Sequence, residues 1–170
     1  MAAGDQKIEY AASSALTVTL ASLAQSTTFL VGRESTVWDN TTNKYLDLLL
    51  GGKITTGTSP TVDKEIRIYC YASIEDDVYP TDFTGADAAV TIASAAERDS
   101  AIILAKVIKV TATSDVPYEF GPLSIAAMYG GVLPKKGGIF VTHDTGANNL
   151  NSTAANQDIN ITPIYATVAQ

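Results

Sequence analysis

Apolar and polar residues alternate with a period of two along much of this chain, the spacing that sends successive side chains to opposite faces of a β-strand. Leu16, Val18 and Leu20 alternate with Thr17 and Thr19 and predict a half-buried strand. Phe29-Leu30-Val31 is a shorter apolar run ending at Gly32, and Lys44 to Leu50 predicts a strand that stops at Gly51-Gly52. The clearest alternation runs from Lys64 to Ala72: Ile66, Ile68 and Cys70 share one face, and Arg67, Tyr69 and Tyr71 share the other. From Ala101 to Thr111 the rhythm of Ile103, Ala105 and Val107 is broken by Lys106, Ile108 and Val110, which predicts a bulge or bend. Val116 to Met128 carries Pro117 and Pro122 and belongs at an edge or corner, because proline cannot donate to a ladder. Ile139 to His143 and Ile164 to Val168 complete the set, with Pro163 placing the last strand near an edge.

Turn chemistry separates these runs. Trp38 to Asn43 is rich in Asn and Asp, whose side chains bond their own backbone. Gly57 and Pro60 mark a second turn, and Gly146 to Gln157 a polar loop rich in Asn. Glu75 to Ala89 is acidic and turn-rich, and loops of that length are usually functional or mobile. Ser94 followed by Glu97 matches a capping box and predicts a short helical turn. About eight strands without a long amphipathic helix between them call for antiparallel pairing, because parallel strands need long crossovers. The expected fold is all-β: an antiparallel two-sheet sandwich of jelly-roll type with long loops and at most one short helix, its core holding Ile66, Ile68 and Phe140. Residues 15–170 form the single domain. Residues 1–14 form an arm whose Ile8 and Tyr10 sit outside any strong strand pattern, expected to be mobile until it orders, through those two anchors, against a neighbouring subunit or the surface of a larger assembly.

Composition narrows the function. The net charge is −7 and the one adjacent basic pair is Lys135-Lys136, so nucleic acid is not an expected partner. No apolar run reaches the ~20 residues of a membrane helix. The opening residues lack the basic-then-apolar pattern of a secretory signal, so none is expected. The lone Cys70 alternates with Ile66 and Ile68 and reads as an inert core thiol.

Candidate chemistry is sparse. His143 is the only histidine, and no Gly-x-Ser-x-Gly elbow accompanies it, so it reads as a surface or loop-anchoring residue. One His and one Cys cannot furnish a zinc site. Glu75, Asp76, Asp77, Asp82 and Asp87 offer oxygen ligands for calcium, but the spacing of an EF-hand is missing and a solvated acidic loop is expected. No catalytic residue, metal or cofactor is expected. Tyr69 and Tyr71 could present a contact face for sugar or protein, or could cover a second layer of the sandwich.

Three stretches carry a resemblance. Val31-Gly32-Arg33-Glu34-Ser35-Thr36-Val37-Trp38-Asp39-Asn40 continues into Tyr45-Leu46-Asp47. Gly52-Lys53-Ile54-Thr55-Thr56-Gly57-Thr58-Ser59-Pro60 is the second. Tyr118-Glu119-Phe120-Gly121-Pro122 leads through Gly130-Gly131-Val132-Leu133-Pro134-Lys135-Lys136 to Phe140-Val141-Thr142-His143-Asp144-Thr145-Gly146. Together they resemble a family of tailed-bacteriophage virion structural proteins of the capsid cement or decoration type. The resemblance implies a homo-oligomer made in the cytoplasm of a bacterial host and bound to the major capsid protein on the capsid surface. A tail, fibre or adsorption protein and a carbohydrate-binding sandwich are the alternatives.

Overall fold

The computed structural model describes residues 4–80, 82–146 and 148–168. Its strands are β1 (Gln6–Tyr10), β2 (Ser14–Ala15), β3 (Val31–Glu34), β4 (Trp38–Asp39), β5 (Asp47–Thr55), β6 (Glu65–Ala72), β7 (Ala88–Thr91), β8 (Ile103–Lys109), β9 (Pro117–Ser124), β10 (Lys136–Asp144) and β11 (Asp158–Val168). Helix α1 (Ala95–Ala101) follows Ser94, whose hydroxyl accepts a bond from the Glu97 amide at 3.1 Å. A one-turn helix, α2 (Ile125–Met128), follows β9.

Sheet A has the order β1-β11-β5-β9, with β2 also on β11; sheet B has the order β7-β3-β10-β6-β8, with β4 also on β10. Every pairing is antiparallel. Setting aside β2, β4 and β7, the chain folds back on itself in nested fashion. β6 pairs with β8, β5 with β9 outside them, β3 with β10, and β1 with β11 outermost. That nesting is the connectivity of a jelly roll.

Between the sheets lies one core: Leu48, Leu50 and Ile54 of β5 and Ile159 and Ile161 of β11 face Ile66, Ile68 and Cys70 of β6 and Ile139 and Val141 of β10. Leu16 and Leu20 close it, as their alternation with threonine predicts. Residues 16–20 are nevertheless not a strand. Their backbone bonds diverge: the Leu16 amide reaches the Ile159 carbonyl, the Thr17 carbonyl accepts from Thr36, and the Thr19 amide donates to the Asp87 carboxylate. The segment threads between three neighbours instead of following one.

Gly51 and Gly52 do not end their strand either, since β5 runs through both to Thr55. They are needed because neighbours come close: a Cβ on Gly52 would collide with the Asp158 carbonyl of β11, and one on Gly51 would lie 3.2 Å from the Phe120 carbonyl of β9. The register with β9 slips between Leu50 and Gly52. The bulge expected after Ala101 is present at Ala105, which is skipped where Ile68 faces Lys106 and Tyr69 faces Leu104.

The centre of sheet B is buried on both faces. Behind it, Tyr69, Tyr71 and Phe140 form a second apolar cluster with Phe83, Val90, Ile92 and Ile102. Phe140 thus points away from the inter-sheet core expected for it, because it sits opposite Tyr69 while its neighbours Ile139 and Val141 face inward. Phe83 stacks on Tyr71 at 4.4 Å between ring centres and meets Phe140 edge-on at 5.8 Å. The described residues of the acidic stretch, 75–80 and 82–89, are therefore a lid packed on sheet B, held there by Tyr79 and Phe83 among its carboxylates.

Candidate functional site

The described residues offer one projecting feature and several anchored ones. β5 accompanies β11 only from Asp158 to Ile164, whereas β1 pairs with it from Ile164 to Val168. Beyond Ile164 the two strands continue as a ribbon. One face of it carries Ile8, Tyr10 and Val168, which are 60, 66 and 59% exposed. The other carries Lys7, Glu9, Tyr165 and Thr167. Lys7 pairs with Glu9 along the strand. That contact, first among the causes and joined by bonds from Tyr165 and Thr167, holds the Glu9 carboxyl below the usual range against the opposing effect of desolvation. The expected free arm is therefore a ladder from Gln6 onward, and Met1 to Ala3 lie outside the described residues. Ile8 and Tyr10 remain at the surface.

Tyr69 and Tyr71 are 3% and 0% exposed. They cover sheet B and cannot form the contact face weighed for them. Tyr71 donates its hydroxyl to Glu34 at 3.0 Å. Glu34 is fully buried, and its carboxylate also accepts from the Thr84 amide at 3.0 Å, the Thr84 hydroxyl at 2.7 Å and the Gly85 amide at 3.0 Å. It clamps the acidic lid to the sheet. Nothing local in the sequence marks it, because its partners lie 37 to 51 residues away.

Three acidic residues of the lid are engaged singly. Asp76 pairs with Lys135 at 3.0 Å, Asp77 with Lys136 at 2.6 Å, and Asp87 with Arg33 and the Thr19 amide. Lys135-Lys136, the one adjacent basic pair of the sequence, is thus neutralised by the lid. Among the described residues no three His, Cys, Asp or Glu side chains gather as a metal set.

His143 is fully buried. Its Nε2 donates to the Leu23 carbonyl at 2.8 Å, leaving Nδ1 as acceptor 3.1 Å from the Thr145 hydroxyl. Burial pushes its pKa below the ordinary value, so the ring is neutral at pH 7 and anchors the loop before β3 to β10. Cys70 is also fully enclosed, and burial alone pushes its thiol up to about 12. An open cleft of about 710 Å³ runs between the lid and α1, walled by Ala72, Ile74, Val78, Tyr79, Glu97 and Tyr129 among others. Among the described residues Glu97 is the one carboxylate on its wall, and no cation or imidazole faces it there. Such a wall can hold an apolar group but supplies no acid–base pair. No protein-family model, curated protein or solved structure matches the chain.

Proposed function

We propose that this chain is a non-enzymatic virion structural protein, a capsid cement or decoration protein that binds the outside of a major capsid protein shell and stabilises it. The observation that carries the reading is where the phage-like stretches fall. Val31–Asn40 contains β3 and β4, and both pair with β10 from the third stretch, Phe140 opposite Glu34 and Lys136 opposite Asp39. The second stretch begins in β5 and pairs with the start of the third, Lys53 opposite Glu119. The resemblance thus lies in framework strands, which supports a shared architecture. Jelly rolls recur in viral capsids, an analogy of fold that adds to the resemblance without replacing it.

The remaining properties suit that role. A net charge of −7 keeps free copies apart before assembly. A double-layered sheet B supplies rigidity without a disulfide, and no helix among the described residues is long and apolar enough to cross a membrane. The chain acts on the capsid surface as a homo-oligomer, after synthesis in the bacterial cytoplasm, with no cofactor and no nucleic-acid or membrane partner.

The test is stoichiometry and add-back. Purified virions should contain the chain in proportion to the major capsid protein. Particles lacking it should leak DNA at lower temperature, and purified chain should rebind and restore them. Finding it only among tail components, or finding no binding to shells that lack it, overturns the assignment.

A further inference from the structure

Besides the two-residue strands β2 and β4, the described part of sheets A and B has four edge strands, and three are blunted. β9 carries Pro117 and Pro122. β8 carries Lys106, Lys109 and the bulge at Ala105. β7 is four residues long. These are the devices that keep sheet edges from pairing with other chains. β1 has none of them: it contains no proline, its register with β11 is continuous, and its one lysine is already neutralised by Glu9.

We propose that β1 is a self-recognition edge, by which two copies of this chain pair their β1 strands antiparallel about a twofold axis at Ile8 and merge their A sheets into one.

The backbone phase permits that pairing. Ala11 donates its amide to the Pro163 carbonyl, so Ala11 and Pro163 form a hydrogen-bonded pair. Bonded pairs recur at every second residue of an antiparallel ladder, which puts Glu9 opposite Tyr165 and Lys7 opposite Thr167 in the same state. The amides and carbonyls of Gln6, Ile8 and Tyr10 then point to the open edge. Ile8 meeting Ile8 of a second copy, and Gln6 meeting Tyr10, satisfies all of them.

Charge selects this register over its neighbours. Centred on Ile8, the strand Gln6-Lys7-Ile8-Glu9-Tyr10 sets Lys7 of each copy against Glu9 of the other, on the face away from Ile8. These fall at non-hydrogen-bonded positions, where opposed side chains come closest. Moving the axis to Lys7 sets lysine against lysine, and moving it to Glu9 sets glutamate against glutamate. A twofold interface must be complementary to itself, and this five-residue segment is. On the opposite face the two Ile8 side chains, each largely exposed in the single chain, cover one another. A ladder this short buries less than the ~1,200 Å² of a stable interface, so the dimer is weak.

The inference does not depend on the shell assignment, because it is read on free protein, whereas the shell assignment is read on particles. Sedimentation equilibrium of the full chain up to about 500 μM should reveal a monomer–dimer equilibrium, since a weak dimer is populated in that range. Glu9→Lys alone and Lys7→Glu alone should each weaken the dimer at least tenfold, with circular dichroism melts checking that each remains folded. An equimolar mixture of those two variants should form a heterodimer, and the double variant K7E/E9K should regain the wild-type constant. Monomer throughout, association untouched by either reversal, or no recovery in the mixture and the double variant overturns the proposal. A trimer or higher species overturns it as well.

Discussion

Replacing Glu34 by glutamine probes the clamp between lid and sheet with almost no change of shape. In the native chain every group around this carboxylate donates: the Tyr71 hydroxyl, the Thr84 amide and hydroxyl, and the Gly85 amide. Glutamine keeps one oxygen, best left facing Thr84, and turns an NH₂ toward Tyr71 and Gly85. Two charge-assisted bonds are then replaced by opposed donors. Bonds to a charged group contribute about 1.5–3 kcal/mol each, so the simple sum is about 3–6 kcal/mol. Tyr71 has a second acceptor, the Ser35 carbonyl at 3.2 Å, to which its hydroxyl can turn. That relief puts the expected loss near the lower end, about 3 kcal/mol, or roughly 6–12 °C in melting temperature for a domain of this size. Urea unfolding of E34Q measures the loss, and limited proteolysis locates it, with new cuts expected between Tyr79 and Asp87 before the rest of the chain opens. Y71F should cost about 1 kcal/mol alone and reduce the added effect of E34Q, since the two share a bond. A variant E34Q as stable as wild type, with the lid still protected, would refute the account of Glu34 as a clamp.

The two clusters make separate predictions. Ile68→Asp buries an unpaired carboxylate between the sheets and should abolish soluble folding, while Phe140→Ala should cost about 3–5 kcal/mol by emptying the outer cluster; a soluble, cooperatively melting I68D would reverse the facing of β6. His143 makes a prediction about pH. The unfolded chain takes up the imidazole proton near the ordinary value of about 6.5, and the folded chain only at lower pH. Its stabilising contribution is therefore full above pH 6.5 and declines as pH falls toward the folded value. Urea titrations from neutral to mildly acidic pH should lose less stability in His143→Gln than in wild type, and parallel curves would refute the buried neutral ring. Cys70, with its thiol at about 12, should react with a thiol reagent only at the rate of unfolding, and rapid labelling of native protein would contradict its burial.

The strands that alternate cleanly were legible, and so was the sandwich they build. Ile66, Ile68 and Cys70 announce an inner face because aliphatic residues at period two have no other comfortable place. The outer face of the same strand was ambiguous, since tyrosine is as much at home on a surface as beneath one. The near-continuous apolar runs Tyr69-Cys70-Tyr71 and Ile139-Phe140-Val141 were the available sign that β6 and β10 are covered on both sides. Gly51-Gly52 misled because glycine serves turns and close approaches alike, and only the neighbouring β11 reveals which. Lys7, Ile8, Glu9 and Tyr10 do alternate, but an edge strand with its apolar residues exposed and its charged ones half-buried lacks the buried apolar side that makes such a pattern persuasive. Glu34 was out of reach altogether, since its partners are set by tertiary folding.

The nesting of strands also imposes an order in time. β11 lies inside sheet A, between β1 and β5, although of the eleven described strands it is the last to be synthesised. Sheet B has all its members once β10 has emerged and can close early. β1 and β5 must meanwhile wait, separated by an unfilled slot, and cannot pair with each other without excluding the strand to come. Folding of sheet A is therefore a late, long-range event of the kind that slows β-proteins. During that interval the unpaired backbone edge of β5 stands open to strands of other nascent chains, so slow insertion of β11 favours aggregation.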